Sequence, residues 1–237
     1  MNILIHPTYF PSISHYVAII QADSVTFEME DNFQKQTNRN RMYIYSPNGI
    51  QMLNIPIKNS KDKHQKYKDV KIENNFGWQK NHFKSLEAAY RTSPFFEYFE
   101  DDFRPLFEKK HEFLMDLNLE IFELVSDSLG INIKPDKTTE FFHDVPNYKD
   151  FRHLANGKKD TTQLEEYTQV FKGKQGFINN LSILDLLFNE GRYAVDYLKN
   201  QKEIKKKKLK KKNQIMVKRH ILNMMIKNKN YNHYSII

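Results

Sequence analysis

The run Asn2-Ile3-Leu4-Ile5-His6-Pro7-Thr8-Tyr9-Phe10-Pro11, with residues 12–28 behind it, decides how this chain is read. Asn2 to His6 is a short apolar strand that Pro7 and Pro11 bring to a stop. Ile13 to Ala22 then carries apolar residues at helical spacing (Ile13, Tyr16, Val17, Ile20), and Val25-Thr26-Phe27 follows as a second strand. Strand, loop, helix and strand within this length make a βαβ unit, which requires a parallel sheet at the amino terminus. The fold class expected is α/β.

Working outward, Arg41 to Ser46 and Ile50 to Ile57 flank Pro47-Asn48-Gly49, and Asn-Gly supplies the positive φ values of a tight hairpin turn. Lys58 to Lys68 reads as a solvated loop, with Val70 and Ile72 as one further short strand. The first third is therefore strand-rich. From Trp78 the period becomes helical, with Phe83, Leu86 and Tyr90 on one stripe and an end near Thr92. Ser93-Pro94 reads as a cap and first turn for the next helix, which Pro105 interrupts or kinks. Leu114, Leu117, Ile121, Leu124 and Ser128 mark a long helix ending at Gly130. Residues 132–176 are weakly patterned, with a strand expected near Phe141 and a short helix near Phe151. Residues 183–188 form a buried helix closed by Gly191. The middle and carboxyl-terminal parts are thus helical.

Charge is distributed unevenly. The formal net charge is +8, but residues 199–237 contribute +12 and residues 1–198 contribute −4. The expected organisation is an α/β domain over 1–198 and a lysine-rich, poorly ordered tail over 199–237. A sequence biased to Lys, Asn and Ile without Gly or Pro fits an appendage under little selection for folding, although such a run could also attract phosphates or an anionic membrane. Setting the tail aside removes the net basic charge, so no specific nucleic-acid partner is expected. Cysteine is absent, which excludes disulfides, thiolate zinc sites and a cysteine nucleophile and points to a reducing, cytoplasmic compartment. Neither a signal peptide nor a transmembrane segment is expected from the apolar pattern. The seven glycines are scattered, so neither a dinucleotide fingerprint nor a P-loop can be written, and no G-x-S-x-G or H-E-x-x-H occurs. No metal site or cofactor is assigned.

Three polar clusters remain. His6 and Tyr9 follow the first strand, where open α/β sheets place ligands and where an imidazole could move a proton; the plainer account has them bonding backbone groups in a proline-shaped turn. Asn38-Arg39-Asn40-Arg41, with Asp31, Gln34 and Lys35 upstream, offers forked cations for phosphate or carboxylate and amides for sugar hydroxyls. If that stretch is extended, Arg39 and Arg41 share a face and are merely solvated or paired with surface acids. Trp78, His82 and Ser85 lie on one helical stripe, as a stacking platform with a base beside it or as ordinary core.

Several of these segments together resemble the WbqC-like family. The turn Pro7-Thr8-Tyr9-Phe10-Pro11, the helix Tyr16, Asp31-Asn32-Phe33-Gln34-Lys35 and Asn38 to Arg41 carry the similarity. It continues through Trp78 to Glu87, Tyr90-Arg91, Pro94-Phe95-Phe96 and residues 180–188, Asp185 included. This covers about residues 3–198. His6 stands where the family usually has Gln, and His15 where it has Gly. The resemblance implies a place in bacterial O-antigen or capsule biosynthesis, including transfer of an amino acid such as glycine to a sugar. Under that implication, a nucleotide-linked or lipid-linked sugar is the expected partner. His6 and His82 are the candidate catalytic bases. Tyr9, Asp31, Arg39, Asn40, Arg41, Trp78, Ser85 and Asp185 are the candidate binding residues. The alternative is a non-enzymatic module that binds a glycan precursor or a partner protein of the same pathway.

Overall fold

A computed structural model describes residues 1–62 and 64–204; most of the lysine-rich tail lies outside the described residues. The βαβ unit is present. Strand β1 (Asn2–Ile5), helix α1 (Ile13–Ile20) and strand β2 (Ser24–Phe27) form it, and the two strands pair in parallel from Asn2 opposite Ser24 to Ile5 opposite Phe27. The chain goes on to the hairpin β3 (Arg41–Ser46) and β4 (Gly49–Asn54), then to helices α2 (Trp78–Tyr90), α3 (Phe96–Glu108) and α4 (Leu114–Ser128). Two-residue strands β5 (Asp136–Lys137) and β6 (Lys149–Asp150) precede a short helix α5 (Lys172–Gln175), α6 (Ile183–Glu190) and α7 (Ala194–Asn200).

The main sheet runs β5-β2-β1-β6, with every pair parallel. The chain steps outward from β1 through β2 to β5, then returns to the opposite side of β1 with β6. The strand order therefore reverses between β1 and β6, the position at which open α/β sheets hold ligands beyond their carboxyl ends. Ile3, Leu4 and Ile5 are all buried, as expected of a central parallel strand covered on both faces. The core joins this sheet to the hairpin and to the apolar faces of α1, α2, α3, α4 and α6.

Local departures from the expected elements have identifiable causes. In the hairpin, Gly49 takes φ +100° and pairs with Ser46, whereas Asn48 stays out of the left-handed region, so Gly49 alone supplies the positive φ. Val70 and Ile72 form no strand. The 3₁₀ turn Tyr67–Asp69 precedes them, and Ile72 makes only a single bridge to Ile57. Ser93 does not cap α3, because its hydroxyl donates backward to the Tyr90 carbonyl and Phe95 stands at the cap position. Pro105 sits three residues from the end of α3 and does not interrupt it. No strand includes Phe141, which is partly exposed; the strands of that region are β5 and β6 on either side, while the short helix near Phe151 is the 3₁₀ turn Arg152–Ala155. Gly130 (φ +67°) closes α4 as expected, and Ile131 N–H reaches back to the Ser126 carbonyl. Past α7, Gln201 and Ile204 are buried, so the packed body extends beyond residue 198.

Gly191 ends α6 at φ +54°, and a Cβ placed there would lie 2.6 Å from the Phe95 ring. Strain and overlap act together, so Gly191→Ala is expected to lose roughly 2 to 3 kcal/mol. Gly130→Ala, which has a similar φ but open space around it, should lose only about 1 kcal/mol. Urea titration of both variants checks the difference; equal losses would refute the packing argument.

Candidate functional site

The sequence-predicted residues separate into distinct groups. At the carboxyl end of β1, His6 Nε2 lies 2.9 Å from Asp31 Oδ2 and 2.9 Å from Arg39 Nη2, and Arg39 Nη2 donates to the same Asp31 oxygen at 2.9 Å. A neutral imidazole uses Nε2 either as donor to Asp31 or as acceptor from Arg39. His6 Nδ1 and Arg39 Nε are buried with no hydrogen-bond partner, as is Thr8 Oγ1 in the same turn. Burial, with the Arg39 charge adding to it, lowers the His6 pKa to about 4. Burial alone would raise that of Asp31, but its bonds to His6 and the Arg39 charge bring it below the usual carboxylate value. Arg39 is 1% exposed, so the solvated alternative for it fails; Tyr67 lies beneath its guanidinium at 5.5 Å.

A second group is built on α2. The Tyr9 hydroxyl lies 2.8 Å from His82 Nδ1, and the Trp78 ring meets His82 edge-on at 5.2 Å. All three are buried, and burial lowers the His82 pKa to about 4. Ser85 takes no part here; it donates to the Asn81 carbonyl and accepts from Gln51. Between the two groups runs the stretch 38–41. Arg39 reaches back to His6, while Asn40 and Arg41 bond the Asn54 side chain.

Asp185 belongs to neither group. Fully buried, it accepts from the hydroxyls of Tyr90 and Tyr167 and from Gln169, and burial raises its pKa against those hydrogen bonds. Its role in this structure is to tie α6 to α2 and to the strand-free stretch 160–170.

The residues that line a cleft are partly different ones. A cavity of about 230 Å³ lies among Arg41, Asn38, Lys158, Asp160, Asn180 and Ser12. Asp160 accepts from Ser14 Oγ at 2.5 Å and Asn180 Nδ2 at 2.7 Å, while Asn180 Oδ1 accepts from Ser14 N–H at 2.9 Å. Arg41 donates through Nε to Asn54, and neither Arg41 nor Lys158 has a carboxylate partner among the described residues. Two residues lining it, Phe10 (φ +37°) and Asn180 (φ +57°), hold the left-handed backbone, which is costly for a bulky ring. Each stands two residues before the serine that opens a helix, Ser12 for α1 and Ser182 for α6.

Residues 6–159, which supply the turn after the first strand, the hairpin, the three central helices and all but one of these cleft cations and acids, match the WbqC-like protein family. This chain belongs to that family. A relative of this WbqC-like protein in Mycobacterium tuberculosis, named Uncharacterized protein Rv1507c, is 25% identical over 223 residues, covering 83% of this chain and 96% of its own length. No solved structure matches the chain. Among the described residues no helix is long and apolar enough to cross a membrane, and no cluster of His, Asp and Glu could hold a metal ion.

Sequence reasoning missed four residues of this edge and cleft: Glu28, Arg152, Lys158 and Asp160. Glu28 follows β2 directly, is fully buried, and pairs with Arg152 at 3.1 Å, just past β6. Its position immediately after a strand was a usable signal; the other three fall in the unpatterned stretch.

The buried imidazoles make stability depend on pH. His6 and His82, with pKa values near 4, and His15, near 3, are depressed below the ordinary 6.5. The unfolded chain therefore binds more protons between those values, and stability present above pH 6.5 is lost as pH falls toward 4. Each imidazole contributes roughly 1.4 kcal/mol per pH unit within that window. Asp185 acts with the opposite sign above pH 3.8. Chemical denaturation at pH 7, 6, 5 and 4.5 should show a steep fall, shallower in His82→Gln; a flat profile would contradict the burial.

Proposed function

We propose that this chain acts in bacterial surface-polysaccharide (O-antigen or capsule) biosynthesis by binding the anionic and sugar portions of a nucleotide-linked or lipid-linked precursor. The observation carrying this reading is the cleft in which Arg41 and Lys158, neither of them in an ion pair among the described residues, stand beside Asn38 and Asn180, with the one carboxylate there, Asp160, bonded to Ser14 and Asn180. Guanidinium and ammonium groups suit phosphate, and amides suit sugar hydroxyls. At about 230 Å³ the space takes one sugar ring or phosphate group, with the remainder of the ligand outside. Membership of the WbqC-like family, which is associated with polysaccharide biosynthesis, supports the same reading.

A transferase is the second reading, favoured by the unpartnered Nδ1 of His6 beside Asp31 at the reversal of strand order. In that scheme His6 or His82 is the general base, Arg39 holds an anionic group, and Tyr9 and Asn40 orient hydroxyls. It ranks second because neither imidazole lines the cleft, and a pKa near 4 makes a weak base at neutral pH.

Titration with UDP- and GDP-linked sugars tests the first reading. Binding should raise the melting temperature of the wild-type chain, and Arg41→Ala combined with Lys158→Ala should weaken it at least tenfold without unfolding the protein. No shift with any of these ligands would remove the reading. Cellular polysaccharide modification tests the second: folded His6→Gln and His82→Gln proteins should lose it, and unchanged modification in both would exclude these bases.

A further inference from the structure

A larger cleft, of about 900 Å³, shares no lining residue with the first. Its walls come from α3 (Tyr98, Asp102), the end of α4 (Asp127, Ser128) and the 3₁₀ turn Gly191–Tyr193 that joins α6 to α7. Tyr98 is 76% exposed and Tyr193 is 52% exposed, and what distinguishes them from other exposed rings such as Phe76 is that both line one cleft. Neither ring is loose. Tyr98 meets Phe99 edge-on at 4.8 Å, and Arg192 donates to the Tyr193 hydroxyl at 2.8 Å with its guanidinium 4.9 Å from the ring centre. The turn bearing Tyr193 is seated against the foot of α3 because Gly191 leaves no Cβ above Phe95.

The lining selects among occupants. Its apolar part is the rings of Phe95, Tyr98, Phe99 and Tyr193 with Leu124 as the one aliphatic residue, interrupted by the carboxylates of Asp102 and Asp127, which an apolar helix would leave unpaired and which outnumber the single Arg192 and repel a polyanion. A neutral pyranose presents an apolar face of C–H groups to an aromatic ring and a rim of hydroxyls to carboxylates, which matches exposed tyrosines interleaved with aspartates. We propose that this cleft is a second carbohydrate site, binding a short neutral glycan segment by stacking on Tyr98 and Tyr193 with hydroxyls bonded to Asp102 and Asp127. The volume accommodates two or three sugar rings. The assignment of a glycan partner rests on the polysaccharide reading above, whereas the site itself is independent of Arg41 and Lys158.

Saturation-transfer NMR on the full chain, with maltotriose, cellotriose and tri-N-acetylchitotriose at millimolar concentration, tests this. At least one trisaccharide should receive saturation at its ring C–H protons, Tyr98→Ala with Tyr193→Ala should abolish it, and Asp102→Asn should weaken it several-fold. The exposed positions leave folding intact, which thermal melts verify. No saturation with any of the three, or an unchanged signal in the double tyrosine variant, overturns the proposal, as does an apolar dye occupying the cleft that no saccharide displaces. Arg41→Ala with Lys158→Ala should keep the trisaccharide signal. Loss of nucleotide-sugar binding alone in that variant leaves the glycan site standing, and failure of the trisaccharides alone leaves the precursor cleft standing.

Discussion

Two helices of this protein begin at one point, and most of the remaining architecture follows from that meeting. Ser12 opens α1 and Ser182 opens α6, and an isolated antiparallel bridge joins them. Ile13 N–H donates to the Leu181 carbonyl at 2.9 Å, and Ile183 N–H donates to the Pro11 carbonyl at 2.7 Å. Ser182 also donates through its N–H to Tyr43 on the hairpin and through its hydroxyl to Phe10. One junction thus fastens the parallel sheet, the hairpin and the carboxyl-terminal helices across about 170 residues of chain. The entropic cost of closing so long a loop rises only with the logarithm of its length, so several hydrogen bonds and the apolar faces of α1 and α6 suffice to hold it. The same junction consumes the first N–H groups of both helices, so the neighbouring cleft offers a ligand side chains and not bare helix ends.

The charged groups near the sheet's carboxyl edge are arranged as matched pairs. Asp31 answers Arg39, and Glu28 answers Arg152, which also bonds Asp150 and the carbonyls of Phe142 and His143. Pairing makes burial tolerable without making it favourable, since desolvation offsets most of the Coulombic gain. The pairs therefore act chiefly to specify where loops 28–31, 38–40 and 141–152 lie. What pairing leaves over is informative: Nδ1 of His6 and Nε of Arg39 have no protein partner although both residues are almost wholly buried.

Elements governed by local chemistry were legible in the sequence. The βαβ unit followed from two apolar runs and one helical period, α4 from its 3-4-3-4 spacing with Gly130, and α6 from a run closed by Gly191. Elements governed by distant partners were not. β5 and β6 are two residues each and exist only because β2 and β1 supply their hydrogen bonds, so residues 132–160 show no period. Ser93-Pro94 carried a valid cap pattern, yet the Tyr90 carbonyl competed successfully for the hydroxyl. Asn38 to Arg41 was recognisable as polar and important, but alternation along a strand could not foretell that Arg39 turns to His6 while Arg41 turns to the cleft. The family resemblance alone singles out Asp185, and it says nothing of that residue's neighbours: the hydroxyls of two tyrosines and a glutamine amide surround it, away from the His6 and His82 groups.

Charge gives the two clefts opposite characters within one acidic body. Residues 1–198 carry −4, so an exposed Lys158 and a half-exposed Arg41, outnumbering the Asp160 carboxylate in their cleft, run against the prevailing field, while Asp102 and Asp127 run with it. A phosphate-bearing ligand entering the first cleft would meet two cations on a body of net negative charge, which favours orientation over mere affinity. A neutral glycan feels no such field and depends on ring contact, as exposed tyrosines provide. Under the two proposals, the placement of two cations and two rings would let one surface distinguish the charged head of a precursor from its uncharged sugar chain.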